Sequence, residues 1–474
     1  MTLFPLIIAI CAALIIGVCS RAQWRNWSLL VASILAVYWL QPSSPIRHLD
    51  FWLPTACLGL AILVWALTRP ERMTNSFSNL SSGLVITMVI LLIGLTRYLG
   101  PVCCLTQSRP PSMIQIIAFL VTIVILTFIM LHFSGKTAWI YAGIIILLGL
   151  FVILKSDPLA QWTSQVLRAM NAQSTELASP LDIRWLGFSY VAFRLLHTLL
   201  DRLNNRLPEL SLQEFVIYII FFPAYTAGPI DRVQRFIQDL HQPFKLSSQA
   251  FLLGGKRILL GIFNKFVLAD SLAIFSLNMI NSSQVRSTGW TWILLYAFAF
   301  RIYFDFSGYS DIAIGMGQLV GIRLPENFEH PYRKPNLTLF WNSWHMTLAQ
   351  WFRAYIFNPI TRAMRTSQRN FPMSMIILIG QLSTFLLIGL WHGISWNFAI
   401  WGAWHGIGLF VNNRWADWMK SKGSIVTISP TRQAIVKVIG TVFTFHFVSL
   451  GWVWFALSTP SQSWHIFTKL FGLG

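Results

Sequence analysis

The sequence predicts an all-α, polytopic membrane protein. Of its 474 residues, 55% are hydrophobic and only 11% are charged. This leaves too few polar side chains to cover a soluble particle of this size. Apolar stretches of about 20 residues, the length that spans a bilayer, recur from residues 2–19 to residues 436–454. Counting them predicts about 10–12 transmembrane or partly spanning helices.

The first apolar stretch, residues 3–19, is predicted to be a retained helix. No basic residue precedes it and no A-x-A cleavage site follows it, as a secretory signal would require. The chain carries 35 Lys and Arg against 16 Asp and Glu. Because basic residues beside membrane helices meet anionic head groups, this excess predicts membrane lipids as partners and no nucleic acid.

The residue composition of the apolar segments changes near residue 155. Residues 1–155 are plain apolar segments with almost no ionisable group inside them, and they are predicted to be N-terminal transmembrane helices with an accessory or scaffold role. Residues 156–182 form the first sizeable polar interval, and after it Gly, Pro, His, Arg and Asp appear within apolar segments. Such residues mark a cavity or pathway in a membrane protein, so residues 156–474 are predicted to form the functional core.

Two segments of this core are predicted not to cross the membrane as simple helices. Residues 215–222 are followed by Pro223 and then by Gly228-Pro229. Irregular backbone at membrane depth is tolerated only where it is buried in protein or lines water, so a half-helix is expected. Residues 336–360 mix polar and aromatic side chains, and they are expected to be tilted, near an interface or facing a core.

His345 and His392 are the candidates for chemistry, because each lies among apolar residues and imidazole can take and return a proton near neutral pH. A single histidine in such a place is more often structural. The pair lies in two unusual neighbouring segments, so the fold is expected to bring them together. Gly393 leaves room where a substrate would approach His392. No metal spacing such as H-E-x-x-H is present, and no metal is predicted.

Three further residues are treated as supporting groups. Arg301 precedes Asp305 by four residues, a spacing that permits an ion pair within one helix, and Asp311 follows in the same apolar neighbourhood. His405 is assigned to packing.

Several motifs of the second half resemble the membrane-bound O-acyltransferases of the bacterial alginate O-acetylase and D-alanyl transferase branch. In chain order they are Gly228-Pro229-Ile230, residues 265–270 (KFVLAD), 301–315 (RIYFDFSGYSDIAIG), 325–328 (PENF), 340–347 (FWNSWHMT) and 389–398 (GLWHGISWNF). The resemblance implies that His392 is the catalytic histidine and His345 the second active-site residue. It implies channel or supporting roles for Asn342, Trp344, Trp391, Asp305, Arg301 and Asp311, and a ring of tilted helices around a central funnel. Asn342-Ser343 stands where this branch usually has two arginines.

The resemblance also implies the reaction. An acyl group, in the first place acetyl, would pass from a thioester, either acetyl-CoA or an acyl carrier, to a hydroxyl acceptor, with no bound cofactor. The expected acceptor is an exported polysaccharide, reached through a periplasmic or extracellular partner protein, and the expected location is the bacterial inner (cytoplasmic) membrane. D-alanyl transfer to teichoic acid-type polymers is the nearest alternative. A transporter of lipid-linked glycans or small molecules, or a membrane scaffold, would also explain buried polar residues.

Overall fold

The computed structural model describes residues 3–70, 77–100, 105–422 and 429–473, and within these ranges the chain forms helices, turns and loops without a strand. It divides into two compact units. The first comprises Met1–Ile258 and Ile312–Pro325, and the second comprises Leu259–Asp311 and Glu326–Gly474. These units reflect packing, so the functional division near residue 155 stays a prediction.

The first unit contains the helices of the N-terminal half. They are α1 (Leu3–Cys19), α2 (Ala22–Leu40), α3 (Leu49–Thr68), α4 (Phe77–Leu95), α5 (Met113–His132), α6 (Thr137–Lys155), α7 (Asp157–Met170), α8 (Phe188–Leu203), α9 (Leu212–Ile220), α10 (Val233–His241) and α11 (Ser248–Ile262), whose last turn belongs to the second unit.

The second unit holds the remaining helices, and one of them, α14, extends into the first unit. They are α12 (Asp270–Ile274), α13 (Met279–Gln284), α14 (Thr288–Leu319), α15 (Leu337–Trp341), α16 (Met346–Phe352), α17 (Asn358–Arg365), α18 (Met373–His392), α19 (Trp396–Ser421), α20 (Pro430–Ala456) and α21 (Pro460–Leu470). Two π-helical turns, Phe263–Ala269 and Arg353–Phe357, precede α12 and α17.

Seven helical stretches within the described residues are long and apolar enough to cross a bilayer. They are α3, Phe77–Tyr98, α5, α6, Ser248–Gln284, α18 and α20, and Leu3–Cys19 and Leu212–Ala224 are shorter apolar helices. The predicted all-α, multi-pass membrane protein is confirmed, and residues 3–19 form the expected helix. The ring with a central funnel stays a prediction.

The predicted interruption after residue 220 is present and buried. Helix α9 ends at Ile220, and a short 3-10 turn, Phe222–Ala224, follows. The buried guanidinium of Arg194 donates to the carbonyl oxygens of Ile219 and Ala224, at 2.8 and 2.7 Å. Carbonyl groups that no longer bond within a helix must find other donors at membrane depth, and Arg194 supplies them.

The polar interval 156–182 is organised by one buried carboxylate. Asp182 accepts hydrogen bonds from the Ser164 hydroxyl at 2.6 Å and from Arg168 Nε at 2.8 Å. Burial alone would raise the pKa of Asp182, but the hydrogen bonds from Ser164 and Arg168 outweigh it and lower the pKa below its ordinary value. This ion pair joins α7 to the loop before α8.

Replacing Asp182 with Ala is expected to destabilise the protein by about 3–5 kcal/mol, because Arg168 is left buried without its counter-charge. Thermal unfolding of the detergent-purified protein measures the change. Asp417→Ala is the matched control, since its pair with Arg414 is exposed and contributes about 1 kcal/mol or less. Equal losses of stability in the two variants would contradict this expectation.

Candidate active site

A cavity of about 330 Å³ lies inside the second unit, and both candidate histidines line it. Its walls come from α14, from residues 338–357, and from α18, α19 and α20. Most of the lining is apolar or aromatic, with a few polar groups placed among it. The structure therefore brings together His345 and His392, which are 47 residues apart in the sequence.

His392 is the last residue of α18, at a point where the chain reverses into α19. The two helices pack closely because Gly402 and Gly406 of α19 face α18: a Cβ at Gly402 would overlap the carbonyl oxygen of Phe385. The His392 ring is 4.7 Å from the Phe455 ring and 5.7 Å from the Trp401 ring, between centroids. Aromatic side chains thus fix the imidazole at the cavity wall.

The sequence-based reason for Gly393 needs correction. A Cβ at this position would lie 2.7 Å from the ring of Phe398, which packs over the turn. Packing at the α18–α19 turn thus requires the glycine, and the space beside it is filled by Phe398 and is not available to a substrate.

His345 lies in a tight turn between α15 and α16, outside the seven candidate spans. Its backbone is left-handed, with φ 42° and ψ 52°, a conformation that is costly for a residue with a Cβ. Asn327 holds the turn, since its carbonyl oxygen accepts the backbone N–H of Met346 at 2.9 Å. Residues 337–352 form two short helices with mostly buried side chains, which agrees with the expectation that this segment faces a core. The tilt expected for segment 336–360 stays a prediction.

The side chain of Asn327 also determines the proton position on His345. Its Oδ1 accepts the Thr347 backbone N–H at 3.3 Å and the Thr347 hydroxyl at 2.8 Å, and it lies 3.0 Å from His345 Nδ1. A backbone N–H can only donate, so the atom facing Nδ1 is an oxygen and Nδ1 must carry the hydrogen. The other nitrogen, Nε2, then has a free lone pair, and it has no hydrogen-bond partner among the described residues.

Burial keeps the His345 ring neutral. The residue is 4% exposed, and the loss of solvation lowers the pKa of His345 to about 3. Neutral imidazole with the hydrogen on Nδ1 accepts a hydrogen bond or a proton at Nε2 and donates nothing there. His345 can therefore act at Nε2 as a hydrogen-bond acceptor or as a base, and not as a hydrogen-bond donor.

The predicted supporting residues of segment 336–360 also reach the cavity. Trp344 is buried and lines it, and Asn342 lines it with its Oδ1 accepting a hydrogen bond from Arg353 at 2.8 Å. Arg353 itself lines the cavity. A positive charge is therefore present beside Asn342, supplied by a residue eleven positions later in the chain.

Trp391 contacts the rings of both histidines. Its ring centroid is 6.2 Å from that of His345 and 4.5 Å from that of His392. Trp391 is buried and does not line the cavity, so it contributes packing against the two histidines.

The expected ion pair between Arg301 and Asp305 is wrong. Asp305 forms its ion pair with Lys265, while Arg301 donates to the Ser276 hydroxyl at 2.9 Å. A Cβ at Gly308 would lie 2.7 Å from the carbonyl oxygen of Gly261, so the end of α11 approaches α14 closely and Lys265 reaches the carboxylate. None of the predicted acidic and basic residues of this helix, Arg301, Asp305 and Asp311, lines the cavity.

His405 packs as expected. It is fully buried, with its ring 4.9 Å from those of Trp341 and Trp401 between centroids.

Several site residues escaped the sequence analysis. Asn327 was part of the PENF motif, but no local pattern relates it to a histidine eighteen residues later. Gln381, Thr384 and Asn413 line the cavity, and Gln381 Oε1 has no hydrogen-bond partner among the described residues. A glutamine within the apolar span of α18 was a usable signal, because polar groups inside spans tend to mark cavities.

Fold and site together define a multi-pass, all-helical membrane protein with paired histidines in an internal cavity. The chain belongs to the membrane-bound O-acyltransferase (MBOAT) family, whose sequence profile matches residues 184–451. It is an O-acyltransferase, as the resemblance implied.

Similar proteins come from several bacteria. The teichoic acid D-alanyltransferase of Bacillus subtilis is 31% identical over 58% of this chain and 69% of its own length. The probable alginate O-acetylase AlgI of Azotobacter vinelandii is 32% identical over 61% and 54%. The peptidoglycan O-acetyltransferase of Helicobacter pylori is 27% identical over 71% and 65%. The matches thus span between about half and just over two thirds of these relatives.

Proposed function

We propose that this O-acyltransferase moves an acetyl group from a thioester donor to a hydroxyl of an exported cell-envelope polysaccharide, with His392 as the base. The observation that carries the proposal is the single cavity lined by both His392 and His345. Transport or scaffolding would leave this pairing without a purpose. The relatives named for alginate and peptidoglycan O-acetylation support acetyl and polysaccharide as the substrate classes.

In the proposed reaction, His392 takes the proton of the acceptor hydroxyl as its oxygen attacks the thioester carbonyl carbon. The C–S bond then breaks, and the proton passes from His392 to the departing sulfur, which leaves as a thiol. General base catalysis of this kind contributes about 10²–10⁴-fold to the rate. Only the neutral imidazole, with a free ring nitrogen, can accept this proton.

His345 orients the acceptor. Its Nε2 can only accept in the neutral ring, so it cannot polarise the thioester carbonyl, which would need a donor. Accepting a hydrogen bond from a neighbouring hydroxyl of the sugar is the role that its geometry supports. Asn327 acts through His345 and is a positioning residue.

The shape of the cavity supports an extended donor, either acetyl-CoA or an acyl carrier. Gln381 and His392 both line it and are eleven residues apart on α18, a distance of about 16 Å along a helix. Asn413 and Thr338 are hydrogen-bonded to each other at 2.7 Å and also line it. Amide and hydroxyl groups along an apolar cavity suit a thioester arm that itself contains amides.

D-alanyl transfer is the second candidate, supported by the Bacillus subtilis relative. A D-alanyl thioester carries an ammonium group, and the described residues that line the cavity include Arg353 but no Asp or Glu. This charge pattern supports the uncharged acetyl group over the cationic D-alanyl group. Both candidates place the protein in the bacterial inner (cytoplasmic) membrane, with a periplasmic or extracellular protein as acyl-accepting partner.

Mass spectrometry of cell-envelope polymers, from cells with and without the gene, tests the proposal. We expect an O-acetyl ester to disappear from an exported polysaccharide when the gene is deleted and to return with the wild-type gene. Loss of alanyl esters would instead establish the second candidate. Unchanged esters on every envelope polymer would overturn both.

A further inference from the structure

Helix α7 (Asp157–Met170) turns a row of large apolar side chains outward, while polar Ser164 and Arg168 are buried on its other side. Ala160, Ser164 and Arg168 are spaced four apart and are buried. The opposite face exposes a row of large apolar side chains: Leu159, Trp162, Val166 and Met170. A helix surrounded by water would show the reverse arrangement, so this outer face is suited to lipid.

The position of α7 in the chain places it at the membrane surface. The apolar span α6 ends at Lys155, and only Ser156 separates it from α7. With 14 residues, α7 is about 21 Å long, which is too short to cross a bilayer. A short helix with an apolar face that follows directly on a span lies in the interface with that face among the acyl chains.

A cavity of about 220 Å³ lies beside α7, within the first unit. The end of α6, the start of α7, residues 180–185 and the start of α8 form its walls. Its charged residues are Lys155, Arg184 and Asp157, which leaves one net positive charge. Trp185 also lines it, and its indole N–H has no hydrogen-bond partner among the described residues. Among these side chains, the hydrogen-bond donors, Lys155, Arg184 and Trp185, therefore outnumber the one carboxylate acceptor, Asp157.

The wall of this cavity is held in place by the Asp182 network. Besides Ser164 and Arg168, the carboxylate accepts the backbone N–H of Ser179 at 3.1 Å. Residues on both sides of Asp182 line the cavity, so this network fixes the position of its wall. The ammonium group of Lys155 lies over the Phe151 ring, with Nζ 5.8 Å from the ring centroid.

We propose that this cavity binds the phosphate headgroup of one anionic phospholipid of the surrounding bilayer. Lys155 and Arg184 supply the counter-charge and Trp185 a donor for a phosphate oxygen, while Asp157 weakens the binding. Basic cavities at the ends of membrane helices recognise anionic headgroups on this basis. The site is separate from the histidine cavity and goes beyond acyl transfer.

The test uses the full chain in nanodiscs and measures the immobilised fraction of spin-labelled phosphatidylglycerol, with labelled phosphatidylcholine as reference. We expect the wild type to select phosphatidylglycerol. The double variant Lys155→Gln/Arg184→Gln should weaken its binding about thirtyfold, or about fivefold for each cation. Asp157→Asn should strengthen it about fivefold, a change of opposite sign that a folding defect would not produce.

The matched control is Arg47→Gln/Arg206→Gln, which removes the same charge at exposed positions outside the cavity. It should keep the wild-type selectivity. Equal selectivity in the wild type and the Lys155/Arg184 variant, or an Asp157→Asn variant that binds no more tightly, would overturn the proposal. Displacement of the labelled lipid by inorganic phosphate would also overturn it, because the cavity would then be a site for a small free anion.

Discussion

Replacement of His392 with Ala is expected to lower kcat for acyl transfer by about 10²–10⁴-fold, the usual contribution of a general base. The physical reason is that the attacking hydroxyl loses its proton acceptor in a cavity whose other polar groups are amides, hydroxyls, indole N–H groups, His345 and one guanidinium. His392 ends its helix and is only half-buried, so its loss should leave the α18–α19 hairpin intact.

Initial rates of the reconstituted enzyme with its thioester donor measure this effect. His465→Ala is the matched control, because it removes an exposed histidine that does not line the cavity. Unfolding temperature and size-exclusion profile should be unchanged in both variants. A His392→Ala enzyme with full activity would remove His392 from the proposed mechanism.

Replacement of Asn327 should change the reaction through His345. In Asn327→Ala, Nδ1 loses its acceptor and the ring is free to change tautomer, so we expect kcat to fall about 10–100-fold, equivalent to the 1–3 kcal/mol of a buried hydrogen bond. Asn327→Asp places a carboxylate beside the Nδ1 hydrogen and should raise the pKa of His345.

The pH profile separates positioning from a merely structural role. In the wild type the pKa of His345 is about 3, so its protonation should not affect rates near neutral pH. In Asn327→Asp the raised pKa means that His345 becomes protonated as the pH falls, and activity should be lost on the acid side. Thr347→Val is the control, since it removes another hydrogen bond to Asn327 and leaves His345 Nδ1 its partner. The same profile in all three enzymes would refute the positioning role.

Sequence patterns predicted correctly those features that depend only on neighbouring residues, such as apolar spans and helix interruptions. An apolar span is recognised from its composition. Pro223 and Gly228-Pro229 predicted a buried, interrupted segment, and α9 with the 3-10 turn after it confirms this prediction. The Trp-His motifs also directed attention to His345 and His392, which do share a cavity. Their catalytic roles stay predictions until the variants are measured.

Sequence spacing did not predict ion pairs and hydrogen bonds whose two partners are far apart in the chain. Arg301 and Asp305 are four residues apart on one helix, yet Asp305 pairs with Lys265, because the close packing at Gly308 brings that ammonium near. For the same reason, the sequence did not reveal that Arg353 is the hydrogen-bond partner of Asn342, or that Asn327 is the partner of His345. Folding brings donors and acceptors together whatever their separation in sequence, and a polar group that is buried needs such a partner.

The sequence alone therefore determined the class of protein, its helical and membrane-bound character, and the two histidines to test. The helical, membrane-bound character follows from the hydrophobic length of each segment. The class of protein and the choice of the two histidines rest on the resemblance of the ordered motifs to a known family. Only the tertiary structure decided that the two histidines share a cavity, which nitrogen of His345 carries the hydrogen, and that α7 turns its apolar face outward. Each of these depends on which buried groups face one another, a relation that exists only once the chain is packed.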